Sequence, residues 1–358
     1  MKLDWKRSFK FELEERRVLA LDIGSSAVKI AQMDKYNGGY AVTAAGTAEI
    51  AASKDNNEQR EINTTRAIRE CLESTGIRTR MAVCGLSGPE VAVRYFKFPS
   101  LPPEEIEGAV TLEAAQVCPF NVEDGAVDYQ LIPYDENDVT GILVAATNKL
   151  IKNKVQLAKN ASLDCVLMDI EGLALLNCLN EYEKRKAGRT TVVLNVGDSF
   201  TTLAIMSDNG LPFIRDMAYA GDGIVEEIAT ENNVSTESIK KILRKESQGL
   251  SGDSMEAQLE LGDSLERACE RLIADVTETL RYYAAQERAA IVEKIFVCGG
   301  FALVRGFVEL LDKELGATTV LWNPFDKMRC DAGRFCEDML AKRGPAMAVA
   351  AGLAMRSI

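Results

Sequence analysis

Leu21-Asp22-Ile23-Gly24-Ser25-Ser26 is an apolar strand that ends in a carboxylate and turns on a glycine. About 170 residues later Leu194-Asn195-Val196-Gly197-Asp198-Ser199 repeats the pattern. Each stretch opens a strand-turn-strand unit. Val28 to Met33 and the turn Asn37-Gly38-Gly39 follow the first; Thr201 to Met206, the turn Asp208-Asn209-Gly210 and a strand from Leu211 follow the second. Two copies of one meander predict a duplicated α/β architecture. A third strand, Ile295-Phe296-Val297-Cys298, runs into Gly299-Gly300-Phe301, and this pair predicts the opening of a helix over 304–315. A glycine after a buried strand is ordinary turn chemistry when met singly. Three such loops in this order predict convergence on one phosphate-bearing ligand. Glycines let the backbone approach phosphate oxygens, the hydroxyls of Ser25, Ser26, Ser199 and Thr201 add donors, and the Asp22 carboxylate is suited to hydrated magnesium.

Composition limits what else the chain can be. Its 358 residues suffice for two cores, or for one core with inserted subdomains. Hydrophobic residues at 47% and charged residues at 27% are the proportions of a soluble globular protein. With 42 Lys+Arg against 54 Asp+Glu the net charge is −12, which disfavours nucleic acid as a partner and makes any anion site local. There is no histidine, so a Ser-His-Asp triad, His-ligated zinc and an imidazole base are excluded. The nine cysteines form no Cys-x-x-Cys and mostly sit in apolar stretches, as reduced thiols of a cytosolic protein would. The longest apolar run, near 346–355, has about half the residues a membrane span needs, and the start carries no signal-peptide pattern.

Along the chain, residues 1–17 read as a charged tail in which Trp5 and Phe9, among Lys2, Lys6, Arg7 and Lys10, admit an interfacial helix as an alternative. A helix is expected over 64–74, ending at Gly76, then a strand over 80–86. Residues 88–143 hold six of the nine prolines and a helix from Pro103, the texture of a small inserted subdomain. Strand 141–147, helix 149–161, strand 165–170 and helix 171–180 read as βαβα alternation. The polar stretch 180–190 is the best boundary, and 222–289 is mostly helical, with a core stripe at Leu265, Cys269, Leu272, Val276, Leu280 and Tyr283.

The two hairpins and the late Gly-Gly resemble the actin-like ATPase superfold. Further stretches narrow the resemblance to the type IV pilus assembly protein PilM family: Leu21 to Ile30, Leu101-Pro102-Pro103-Glu104-Glu105-Ile106, Glu113-Ala114, Cys118-Pro119-Phe120, Val127-Asp128-Tyr129-Gln130, Asp169 to Leu175, Asn323-Pro324-Phe325 and Gly352-Leu353-Ala354. The resemblance implies a duplicated, ribonuclease H-like two-lobed fold. Its parts would be a tail (1–17), subdomain 1A (18–84 and 146–189) interrupted by an FtsA-like 1C insertion (85–145), and 2A (190–221 and 290–358) interrupted by helical 2B (222–289). ATP and Mg2+ would lie between the lobes. Asp22, Gly24, Ser25 and Ser26 fall on the family's first phosphate loop, with Asp22 holding magnesium through water, and Lys29 sits just beyond it on the next strand. Asn195, Gly197, Asp198, Ser199 and Thr201 fall on the second loop, and Gly221 and Asp222 on the Gly-Gly-Asp turn. Glu237 and Lys240 match the nucleoside motif, Gly299, Gly300 and Phe301 the adenosine motif, and Glu171 stands where a group orients the attacking water.

Two departures stand out: Asn195 replaces a metal-orienting aspartate, and Ala220 replaces the first glycine of Gly-Gly-Asp. An amide brings no negative charge to magnesium, so the expectation is nucleotide binding with slow or absent turnover, Asp198 compensating in part. The partner that the resemblance implies is the N-terminal cytoplasmic tail of a PilN-type bitopic inner-membrane protein, docked between 1A and 1C. That partner would hold the protein at the inner face of the inner membrane. Glu104, Glu105, Glu107 and Glu113 would steer a basic tail, or simply form a solvated face. The alternative is a membrane-associated FtsA-like or MreB-like filament former; a sugar kinase lacks an identifiable catalytic aspartate.

Overall fold

Strand β1 (Leu19–Ile23) is buried throughout because sheet neighbours flank it and helices cover both its faces. The computed structural model describes residues 17–53, 56–132, 138–183, 189–206, 211–247, 255–285 and 292–356, and side chains outside 244–261. The amphipathic reading of the first residues and the turn expected at 208–210 lie outside that set. From β1 the chain folds back as β2 (Ala27–Tyr36), with Asp22 opposite Lys29. It then turns at Asn37 and Gly38, both at positive φ, into β3 (Gly39–Glu49). Helix α1 (Asn57–Thr75) begins seven residues before the 64–74 reading. Its first turns are polar and exposed, so periodicity misses them, yet the Asn56 side chain caps the Gln59 amide. It ends where Gly76 supplies the left-handed cap.

Strand β4 (Met81–Leu86) lies parallel to β1. The chain then leaves the sheet for β5 (Val91–Pro99), α2 (Pro103–Val117), β6 (Gly125–Leu131) and β7 (Asp138–Thr147). These strands form their own antiparallel sheet in the order β5-β7-β6, closed by α2 over Phe96, Ile106, Val110, Ala114 and Leu143. The βαβα order holds, while β7 pairs within the inserted sheet and the strand that β8 (Asp164–Ile170) joins is β4. Between them runs α3 (Asn148–Asn160), capped by Thr147. Helix α4 (Glu171–Tyr182) follows β8 without a loop.

The second lobe repeats the plan with β9 (Thr190–Val196), β10 (Thr201–Met206) and β11 (Pro212–Met217), then α5 (Gly221–Glu231), α6 (Thr236–Ser247) and α7 (Met255–Ala284). Strand β12 (Val292–Cys298) returns parallel to β9. The glycine pair does not open the expected α-helix. Gly300 caps a single 3-10 turn, Phe301–Leu303, and α8 (Phe307–Glu314) begins only after Gly306, whose positive φ breaks the backbone course. Strand β13 (Thr318–Leu321) completes the sheet order β11-β10-β9-β12-β13. Strand β14 (Arg329–Cys330) crosses back to pair with β3, so the first sheet reads β14-β3-β2-β1-β4-β8. Helices α9 (Arg334–Arg343) and α10 (Ala348–Ala354) close the chain.

Helices α4 and α10 lie between the two sheets, in a core running from Ala20 and Val83 through Leu175 and Ala350 to Val193 and Phe296. The helices approach closely because Gly352 presents no side chain: a Cβ there would collide with the Ala174 carbonyl. Replacing Gly352 by Ala is therefore expected to cost about 1–3 kcal/mol by overpacking. A thermal melt followed by circular dichroism checks this, and an unchanged midpoint would show that the helices separate freely.

Candidate functional site

The loops after β1, β9 and β12 end at the same level, and between the lobes they bound a cleft of about 1550 Å3. Asp22, Gly24, Ser25, Ser26 and Lys29 line it from the first lobe, joined by Glu171. Asn195, Gly197, Asp198, Gly221, Lys240, Gly299, Gly300 and Phe301 line it from the second. The two hairpin turns are built alike: Gly24 N–H donates to the Ala27 carbonyl at 3.1 Å and Gly197 N–H to the Phe200 carbonyl at 3.0 Å. These amides close their turns, so the glycines serve the site through close approach rather than as phosphate donors. Gly299, at φ +98°, has no room for a Cβ because the Val196 carbonyl occupies that space.

Charge in the cleft is paired internally. The Lys29 ammonium lies 3.1 Å from the Asp22 carboxylate, and both are largely buried. Burial alone would pull Lys29 down, but Asp22, with Glu171 and Asp198 beyond it, raises its pKa above the ordinary lysine value. Glu171 is pushed up to about 7, first by burial and then by Asp22; Lys154 and a hydrogen bond with Ser87 oppose the rise. Its side chain also needs Gly85, where a Cβ would fall 2.8 Å from Glu171 Cγ. Across the cleft, burial and Asp222 raise Asp198 to about 6, against the pull of Lys240. Lys240 is 2.6 Å from Asp222 and 3.8 Å from Asp198.

Not every residue named from the sequence faces the cleft. Thr201 is fully buried, and its hydroxyl donates to the Tyr219 carbonyl at 2.8 Å, stitching β10 to the segment before α5. Ser199 donates to Asp222 at 3.2 Å, and neither lines the cleft. Glu237 is exposed on α6 and also stands apart from the lining. The Asn195 amide oxygen accepts from Cys298 Sγ at 3.8 Å and would lie 2.7 Å from a Cβ on Gly299, so it is turned toward β12. Ala220, by contrast, sits at φ −159°, an extended conformation open to any residue, so its departure from glycine carries no backbone strain. Sequence reading missed Lys154, which donates to the Ile23 carbonyl at 2.8 Å and holds the first loop from α3. It also missed Ser87 and Arg60, which line the cleft. Only long-range packing distinguishes these side chains from solvated ones.

The pKa of Glu171 gives a stability signature. Its folded pKa of about 7 exceeds the ordinary value of 4.5, so between these pH values the folded state holds more protons than the unfolded one. Stability contributed by the protonated form is therefore lost as pH rises through that window. The Glu171→Gln variant should gain on the parent from pH 4.5 to 7, by up to about 3 kcal/mol, then run parallel. Denaturant unfolding across pH measures this; a constant difference would contradict a buried, proton-holding Glu171.

Comparison with known proteins places this geometry. A chain described as part of a PilM-PilN type IV pilus biogenesis complex has a TM-score of 0.80 and 24% identity, covering 96% of this chain and 98% of that one. The ethanolamine utilization protein EutJ from Carboxydothermus hydrogenoformans has a TM-score of 0.55 at 13% identity, over 96% and 90% of the two chains. A glycerol dehydratase reactivase follows at 0.53 and 11%, over 94% and 99%. The fold is thus the duplicated actin-like one. The family model described as type IV pilus assembly protein PilM matches residues 20–358. With nearly the whole length matched, the chain belongs to the PilM family of type IV pilus assembly proteins.

Proposed function

We propose that this protein is a nucleotide-binding scaffold of the type IV pilus inner-membrane platform that docks the cytoplasmic tail of a PilN-type membrane protein. What carries the reading is the convergence of three glycine turns, Asp22, Lys29 and Glu171 on one interlobe cleft in a PilM-family chain. The cleft suits a nucleoside triphosphate. It is large enough, the glycine turns at Gly24, Gly197 and Gly299 line it without side chains, and the Lys29 and Lys154 ammonium groups flank the first loop. Magnesium also fits, since this ion keeps most of its water and takes one or two carboxylates besides phosphate oxygens. Asp22 is the carboxylate to hold it through water, and bound magnesium would neutralise phosphate charge. ATP is the nucleotide proposed, with Phe301 and Lys240 toward its nucleoside end. Lys240 would have to exchange Asp222 and Asp198 for the ligand. With Asn195 neutral and turned to β12, turnover is slow and the nucleotide acts as a clamp between lobes.

The chain's described helices include none long and apolar enough to cross a membrane, which agrees with attachment at the inner face of the inner membrane through a partner. Strand β8 ends the first sheet, and α3 packs both on β8 and on the inserted sheet. Val155 of α3 and Val166 and Leu167 of β8 are exposed, and β8 is an edge among the described strands, a combination that suits an extended peptide. The acidic Glu104, Glu105 and Glu107 on α2 are exposed, as steering of a basic tail requires.

Calorimetric titration with the tail peptide of the PilN-type partner, with and without Mg-ATP, tests the reading. A saturable isotherm is expected, and Leu167→Asp should weaken it at least about tenfold while leaving nucleotide affinity unchanged. No heat in either state would sink the scaffold reading and favour the filament former, whose mark is nucleotide-dependent sedimentation.

A further inference from the structure

The inserted sheet belongs to the first lobe by chain connectivity, yet a side chain of the second lobe holds its base. Asp216 of β11 accepts the Gly88 N–H on Oδ2 at 2.7 Å and the Thr202 hydroxyl on Oδ1 at 2.6 Å. Thr202 lies directly opposite Asp216 across the β10–β11 pair, so the carboxylate is fixed before it reaches the other lobe. Gly88 sits at φ +96° between β4 and β5, with the Phe200 ring 3.7 Å from where a Cβ would be. The chain's second crossing into the insert is fastened to the same loop. Thr147 donates its N–H to the Glu90 carbonyl at 3.0 Å and its hydroxyl to the Glu90 carboxylate at 2.7 Å. On the other side of Gly88, Ser87 lines the cleft together with Glu171.

The geometry points to Asp216 as a positioning residue that makes the base of the inserted sheet, and with it Ser87 and Glu171, follow the second lobe. The inference rests on the nucleotide reading above and goes beyond it by naming the part through which cleft closure reaches the insert. Strands β10 and β11 are continuous with the second phosphate loop, so a ligand that draws Gly197 toward Gly24 moves Asp216 as well. Gly88 is then pulled by its amide, Ser87 turns with respect to Glu171, and β5 shifts at its first residue. The repeat itself supports a special role here. Thr202 occupies in the second hairpin the register position of Lys29 in the first, opposite Asn195 as Lys29 is opposite Asp22. Where the first copy carries an ion pair facing the ligand, the second carries a hydroxyl that fixes Asp216.

Hydrogen exchange read by mass spectrometry on the full chain, with and without Mg-AMP-PNP, tests this beside calorimetric nucleotide affinity. In the parent, nucleotide should slow exchange over 88–99 by about fivefold or more. Asp216→Asn keeps an acceptor for Gly88 and should keep the response. Asp216→Ala should abolish it while nucleotide affinity stays within about threefold. Thr202→Val, which frees the carboxylate without removing it, should diminish the response and serves if the alanine variant does not fold. A response in Asp216→Ala or Thr202→Val equal to the parent's overturns the inference, as does an unresponsive insert in a parent that calorimetry shows to be liganded. Absence of calorimetric binding in the parent removes the nucleotide reading itself, and this inference with it.

Discussion

The buried pair Asp22 and Lys29 is the constraint from which the site follows. A lysine shielded from water keeps its charge only beside a carboxylate, and removing one member of such a pair leaves an uncompensated charge costing about 3–5 kcal/mol. The 3.1 Å contact exists because the two residues face each other across β1 and β2. That register in turn requires the turn at Gly24 to be tight, which the bond from Gly24 N–H to the Ala27 carbonyl makes it. Hairpin, loop and charge are therefore one arrangement: slipping the register by a residue would send Lys29 to the opposite face of the sheet and leave Asp22 buried alone.

Duplication then gives this arrangement a neutral twin. Asn195 and Thr202 stand in the second hairpin where Asp22 and Lys29 stand in the first. Without an ion pair, the amide is free to meet Cys298 and the hydroxyl to meet Asp216. The two hairpins thus share a backbone and differ in chemistry: the first carries a buried ion pair toward the cleft, whereas in the second Asn195 turns to β12 and Thr202 to the Asp216 carboxylate that holds the insert. Negative charge in the second lobe has moved to Asp198 and Asp222, where Lys240 answers it.

What sequence could show of this divides along a physical line. Strands that end in Asp or Asn and a glycine were legible, because buried runs and turn chemistry are local. So was the family, whose stretches around Leu101-Pro102-Pro103 and Asn323-Pro324-Phe325 are distinctive. Thr201 shows where local reading stops: its hydroxyl suggested a donor, but the two-residue period of a strand puts Thr201 and Thr202 on opposite faces, and nothing local says which faces the cleft. Helix α1 begins earlier than its apolar period shows because its first turns are polar, and the order β7-α3-β8-α4 leaves open which sheet β7 joins because a strand's sequence does not name its partner. Lys154 and Asp216 act over separations of 131 and 128 residues, so only the folded chain reveals them.

The charge arrangement also bears on chemistry in the cleft. A carboxyl group whose pKa lies near 7 is well matched to taking a proton from water at neutral pH, and Glu171 has that property. Developing phosphate charge must also be stabilised, by magnesium that carboxylates hold, and there the second lobe is thin: Asn195 brings no charge to the ion, and Asp198, raised by burial and Asp222, lies 3.8 Å from Lys240. Under the proposed function, a site with such a base and weak electrostatic support would hold its nucleotide longer than it cleaves it. For a scaffold this is the useful regime, because lobe closure then persists while the cleft is filled. On the proposed reading, the position of the insert would report occupancy of the cleft rather than the rate of a reaction.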